Sequence, residues 1–203
     1  MKFLAAALLF AAPVFAADIV PLVKGELPSL VTLYQELHAN PELSLHEVET
    51  STRIAAELRD AGFEVTEKMG GHGVVGILRN GEGPVVLVRT DLDALPVKER
   101  TGAPYASTKR VKDEFGREVE AMHACGHDIH MACFIGTARV LAQSKGDWQG
   151  TLVMVGQPAE ERVLGARLML KAGLYSRFPK PDAALALHCS ADMAHGQVGI
   201  VEG

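Results

Sequence analysis

The stretch VVGILRNGEGPVVLVRTDLD, residues 74 to 93, holds two apolar runs, a turn and an acidic end. Val74 to Leu78 and Pro84 to Arg89 have the length and β-branched content of strands, and Asn80-Gly81-Glu82-Gly83 between them is turn chemistry. The spacing predicts that the two runs pair as a hairpin. The second run leaves directly into Thr90-Asp91-Leu92-Asp93.

What flanks these runs sets the fold class. Upstream, Leu30, Leu33, Tyr34 and Leu37 share one face of a predicted helix over 27–38, which Asn40-Pro41 ends. Ser44 and Glu47 have capping-box spacing ahead of a second helix carrying Val48, Ile54, Ala55 and Leu58, closed by Gly62. Phe63 to Glu67 reads as a strand. Downstream, a long polar connection over 94–120 has the length of a functional loop. Asp128 to Gln143 is a third helix with Met131, Phe134, Ile135, Ala138 and Leu141 inward. GTLVMVG (150–156) and AALAL (183–187) are short, continuously apolar and so predicted buried strands, with a helix over 164–170 between them and Gly173 as its stop. Helices alternating with such strands predict an α/β fold: a mixed β-sheet flanked by helices on both faces, mixed because of the early hairpin.

The chain has 203 residues, 48% hydrophobic and 22% charged, the balance of an ordinary globular protein. Its net charge of -5 argues against nucleic acid as the main partner, since phosphate binding needs a basic surface. Lys109, Arg110 and Lys112 are followed at once by Asp113, Glu114, Glu118 and Glu120, the mixture of a solvated loop. Residues 1–16 have the form of a signal peptide: Lys2, an apolar run from Phe3 to Ala12, then Val14-Phe15-Ala16 for cleavage. That run is shorter than the roughly 20 residues a membrane span takes. An exported protein, periplasmic or secreted, is expected, with no stable span after cleavage; an uncleaved anchor is the other reading. The 3 cysteines, Cys125, Cys133 and Cys189, allow at most one internal disulfide. Cys133 lies among apolar residues and is expected to be buried.

The chemistry concentrates where the predicted strands end. VVLVR runs into Asp91 and Asp93, TLVMVGQPA into Glu160-Glu161, and AALAL into His188. MHACGHDIH (122–130) opens the helix before the second of these strands. Ligands gather beyond the carboxyl ends of strands in open α/β sheets, and thiolate, imidazole and carboxylate suit a borderline metal ion. Each piece also has an ordinary reading. Asp91 and Asp93 can cap a turn, Glu160 and Glu161 can open a helix, and His188 can be a satisfied buried histidine. Cys125 with His127 can belong to a closed structural zinc site. Together these would need several coincidences at equivalent positions.

RTDLDALP, MHACGHDIH, GQPAEE and ALHCS, in this order, resemble the metal-dependent amidohydrolase and aminoacylase family of hippurate hydrolases, N-acyl amino acid deacylases and plant auxin-conjugate hydrolases. The resemblance spans roughly residues 28 to 203. It implies a zinc-exopeptidase-like catalytic domain with two divalent metal ions (zinc, manganese, cobalt or nickel). Cys125 would bridge the metals, His127 and His188 would bind one and Glu161 the other. Glu160 would be the general base and Asp91 would orient a ligand histidine. Asp93, His123, Asp128 and His130, in the same motifs, would support these from behind or cap a helix. The implied reaction is amide hydrolysis of N-acyl amino acids or small peptides, with a carboxypeptidase or dipeptidase, or a non-catalytic metal-binding remnant, as alternatives. The resemblance also places a lid or dimerisation domain, on which a homodimer would depend, and a last ligand histidine beyond Gly203. Residues 17–203 are therefore expected to be the N-terminal half of a catalytic domain. Arg162-Val163-Leu164 replaces the family's glycine-rich continuation after the paired glutamates, which implies a different pocket edge.

Overall fold

The computed structural model describes residues 18–194 and 196–200. The predicted signal peptide therefore lies outside the described residues. Helix α1 (Val20–Ala39) starts a full two turns before the expected Leu27, with a proline in its first turn and Pro28 inside it. Leu33, Leu37 and His38 are its buried face.

Helix α2 (Val48–Asp60) lays Ile54, Ala55 and Leu58 inward. Its cap is Glu47 rather than Ser44. The capping box does not form because the Ser44 hydroxyl donates to Asp93 instead, at 2.5 Å. The remaining elements are β1 (Glu64–Met69), β2 (Gly73–Asn80), β3 (Val85–Asp91), β4 (Arg110–Lys112), β5 (Glu118–Glu120), α3 (His127–Gln143), β6 (Gly150–Gln157), α4 (Gly165–Lys171), α5 (Leu174–Arg177) and β7 (Ala183–Ala186). Among the described residues no helix is long and apolar enough to cross a membrane.

The main sheet has the order β1-β2-β6-β3-β7. β1 and β2 pair antiparallel, as do β2 and β6, whereas β6, β3 and β7 run parallel. The sheet is mixed, but the predicted hairpin between β2 and β3 is absent: β6 sits between them, and the hairpin is β1–β2. Two strands that are apolar on both faces gain more by sharing a buried neighbour than by leaving one edge of each unpaired. The turn at 80–84 passes over the start of β6, where close approach demands glycine. A Cβ on Gly150, at φ 125°, would lie 2.3 Å from the Pro84 carbonyl oxygen.

β6 shows how the core divides. Leu152 and Met154 pack with Leu33, Ile54, Leu58, Met131 and Phe134 under α1, α2 and α3. Val153 and Val155 pack with Met69, Met169 and Leu174 on the opposite face. Alternate residues of one strand thus feed two cores, and helices cover both faces as expected. Two local expectations fail. β7 is exposed along its length, because it pairs only with β3 at the sheet edge and a strand's burial depends on its neighbours as much as on its composition. Cys133 is also exposed, since it lies on the outer side of α3. Within the long connection, β4 and β5 form a small separate hairpin.

Candidate metal centre

The parallel strands deliver their ends to one place. β3 ends at Asp91 and stays in register with Gln157 at the end of β6, and the Leu92 N–H continues the ladder to the Gln157 carbonyl. The turn after β6 is held in an unusual conformation, with Ala159 at φ 48° and Val163 at φ 52°. Non-glycine residues in that region are strained unless the surroundings hold them. The holder is Glu47, fully buried, whose Oε1 accepts the Ala159 N–H at 2.7 Å and the Leu45 N–H at 3.0 Å. The sequence marked Glu47 only as part of a helix cap. Its contact across 112 positions could not be read from local spacing.

His127 is fully buried, and its Nδ1 lies 2.7 Å from the Asp93 carbonyl oxygen. A carbonyl only accepts, so Nδ1 carries the proton and the Nε2 lone pair points inward. Around Nε2 stand Asp91 at 3.6 Å, Glu161 at 3.7 Å and Glu160 at 3.8 Å. The Cys125 sulfur is 3.4 Å from His188 Nε2, and His188 Nδ1 donates to the Cys189 carbonyl at 2.6 Å. One donor atom each from Cys125, His127 and His188 lie within 4.8 Å of one another, as do those of His127, Glu160 and Glu161. Six of the residues singled out in the sequence therefore converge: Asp91, Cys125, His127, Glu160, Glu161 and His188.

The other four divide. Asp93 holds the site from behind: its Oδ2 accepts the Ser44 hydroxyl and the Glu161 N–H. His130 has both nitrogens engaged, donating from Nδ1 to Asp91 at 2.8 Å and accepting the Cys189 N–H on Nε2 at 2.9 Å. Asp91 therefore steadies His130, while His127 takes its orientation from Asp93. His123 is buried with neither ring nitrogen hydrogen-bonded, and burial pushes its pKa down to about 4, leaving it neutral. Asp128 faces away from the cluster and pairs with His38 at 2.6 Å. His38 is buried between Asp128 and Glu99.

The cluster is short of positive charge. Burial works against ionising Asp91 and Asp93, but the hydrogen bond from His130 to the first, and the His127 ring and Ser44 hydroxyl beside the second, outweigh it and hold both carboxyls low. Burial, then the Glu161 charge, pushes the Cys125 thiol up to about 11. His127 Nε2, Glu161 Oε1 and Asp93 Oδ1 are buried without a hydrogen-bond partner. Unpartnered buried polar atoms are costly. His127 Nε2 and Glu161 Oε1, 3.7 Å apart and left this way beside the Asp91 carboxylate, fit divalent cations: a cation takes up the lone pairs, offsets the carboxylates and permits the thiolate.

The chain is similar to known proteins in sequence and in structure. The family model for peptidase family M20/M25/M40 matches residues 87–203. An N-acetylcysteine deacetylase of Bacillus subtilis is 38% identical over 176 residues, 86% of this chain and 43% of that protein. A hippurate hydrolase of Campylobacter jejuni is 39% identical over 144 residues, 70% of this chain and 35% of that one. The solved structure of Bacillus subtilis YXEP, described as a dinuclear metal binding peptidase from the M20 family, superposes with a TM-score of 0.77 at 36% identity, covering 92% of this chain and 48% of its own. This chain spans less than half the length of these relatives.

Proposed function

This chain belongs to peptidase family M20/M25/M40, and on that footing we propose that it is the metal-binding part of an amidohydrolase that cleaves N-acyl amino acids. The observation carrying the reading is the pair of unpartnered buried atoms, His127 Nε2 and Glu161 Oε1, beside Cys125 and His188. Cys125, His127, Glu161 and His188 would hold two divalent ions, with the thiolate favouring zinc, cobalt or nickel over magnesium or calcium and manganese also admitted. When bound, such ions polarise an amide carbonyl and lower the pKa of water towards about 7.

The remaining chemistry belongs to the chain. Glu160 is half-exposed beside the fully buried His127 Nε2, so its carboxylate can reach both solvent and a substrate. It takes the proton from the attacking water and passes it to the departing amine nitrogen, a role typically worth about 10²–10⁴ in rate. Adjacent glutamates divide the work because the Glu161 N–H is anchored on Asp93 at 3.0 Å, which turns its side chain inward and leaves Glu160 at the mouth. Asp93 fixes the His127 tautomer from behind, the support that metal-ligating histidines generally need.

Purified protein supplied with zinc or manganese should hydrolyse N-acetyl or N-benzoyl amino acids and lose that activity to a chelator. Glu160→Gln should bind metal with unchanged stoichiometry and lose about 10²–10⁴ in kcat. Full activity in that variant would remove Glu160 from the base role, and stoichiometric metal without turnover of any amide would leave a binding protein. Cleavage of peptides alone would move the assignment to a carboxypeptidase or dipeptidase. The apolar leader supports export, and a mature N-terminus near Ala17 is the expected result of N-terminal sequencing.

A further inference from the structure

We propose that Cys125 and Cys189 form a reversible disulfide by exchange with a small-molecule disulfide, and that this bond and a metal ion held by Cys125 exclude each other. The bond stands on the geometry of the two cysteines; the exclusion rests on the metal-centre reading above. All three cysteines are free, but they are not equivalent. Cys133 faces outward from α3 beside Leu27, Leu30 and Val31 of α1, whereas Cys125 and Cys189 meet. The Cys189 thiol donates to the Cys125 carbonyl oxygen at 3.3 Å, across 64 positions of sequence. Gly126 permits that approach, since a Cβ there would lie 2.4 Å from the Cys189 sulfur.

The main chain of Cys189 is pinned on both sides. Its N–H donates to His130 Nε2 at 2.9 Å, and its carbonyl accepts from His188 Nδ1 at 2.6 Å. The Cys189 sulfur is thereby held against the main chain of Cys125. The Cys125 sulfur hangs from that same residue by one rotatable bond and faces His188 Nε2 at 3.4 Å. A cysteine side chain has three staggered positions, so a turn about the Cys125 Cα–Cβ bond carries its sulfur from His188 towards Cys189. A disulfide needs Cα atoms about 4.4–6.8 Å apart, the range in which a cysteine sulfur touches its partner's main chain.

The exchange balances without a cofactor. The Cys189 sulfur, the more exposed of the two, attacks one sulfur of the small disulfide, forming a mixed disulfide and releasing one thiolate. The Cys125 sulfur then attacks the Cys189 sulfur, the internal bond forms, and the second thiolate departs. The two protein thiols are oxidised, their protons pass to the released thiolates, and the small disulfide is reduced to two thiols. An excess of small thiol runs the exchange backwards. Once in the disulfide, the Cys125 sulfur no longer carries the thiolate charge that a metal ion takes. A bound ion in turn occupies that sulfur and keeps it from Cys189. The export proposed above would place the pair where disulfides persist.

Metal-free protein should be titrated with oxidised glutathione, alkylated and digested. Mass spectrometry with fragmentation should find Cys125 joined to Cys189 and Cys133 alkylated. Zinc added first should keep both thiols free at the same glutathione ratio. The oxidised protein should bind zinc at least about 10–100-fold more weakly, the cost of losing even a supporting residue behind a ligand. Cys189→Ser should abolish the bond and keep its zinc affinity under oxidant, and Cys133→Ser should change neither result. No oxidation, a lasting mixed disulfide on Cys189, or a bond to Cys133 would overturn the pair. A Cys125–Cys189 bond with zinc affinity unchanged would uphold the pair and overturn the exclusion. The same bond in a protein that binds no zinc in either state would uphold the pair and overturn the metal-centre reading, with the exclusion that rests on it.

Discussion

His38 carries a charge that its surroundings require. Its Nδ1 faces Asp128 at 2.6 Å and its Nε2 faces Glu99 at 2.9 Å. A neutral imidazole has one N–H and cannot donate to two carboxylates, so the buried ring is an imidazolium. Burial opposes that charge, yet the hydrogen bonds to Glu99 and Asp128 prevail and hold the pKa above its ordinary value. Tyr105 packs edge-on and Tyr34 at a tilt against the ring, and neither supplies a competing cation. Stabilisation from this pairing is fully present below the unfolded value of about 6.5 and is lost as pH rises through the elevated folded value. Nitrogen NMR should find both His38 ring nitrogens protonated at pH 7; a single proton would refute the imidazolium. His38→Ala strands two buried carboxylates and should cost about 3 kcal/mol in denaturant unfolding. None of this was legible locally, since the three residues are separated by 61 and 90 positions.

Between elements, the start of α3 meets the segment after β7 at a close joint. Gly126 caps the helix at φ 79°, and a Cβ there would lie 2.4 Å from the Cys189 sulfur. Conformation and close approach both call for glycine, and the segment it would push is the one that carries His188. Gly126→Ala should therefore lose about 1–2 kcal/mol from the left-handed backbone alone, seen as a lower Tm. It should also weaken zinc binding, because His188 and Cys125 lie on the two sides of the contact. Normal zinc affinity in a destabilised variant would mean that the joint supports the fold without setting the site. The turn after β6 is built on the same logic. Its strained Ala159 is retained by Glu47 reaching over from the start of α2. Helix and strand types were readable from period and composition, whereas this bracing was not, because capping-box spacing describes only the first turn of one helix.

Over the whole molecule, the site is a meeting of the two halves of the described chain. Asp91 and Asp93 precede the long connection, and Glu160, Glu161 and His188 follow it. Ions bound there would tie strand ends together and favour the folded state by mass action, by about 2.7 kcal/mol at a free concentration one hundred times Kd. For a chain of this size that is about 5–10 °C in Tm. Zinc should raise the midpoint by this order and a chelator should return it, while an unchanged Tm would tell against a metal centre. The sequence by itself determined the α/β class, the helices on both faces and the residue types that gather at strand ends, because periodicity and composition are local properties. It also marked Cys125, His127, Glu161 and His188 as one chemical set. Only the tertiary structure decided that β6 separates β2 from β3, that Asp128 turns away to His38, and that Asp93 orients His127 while Asp91 holds His130. Those outcomes depend on which distant groups share a buried neighbour, and long-range pairing leaves no periodic trace along the chain.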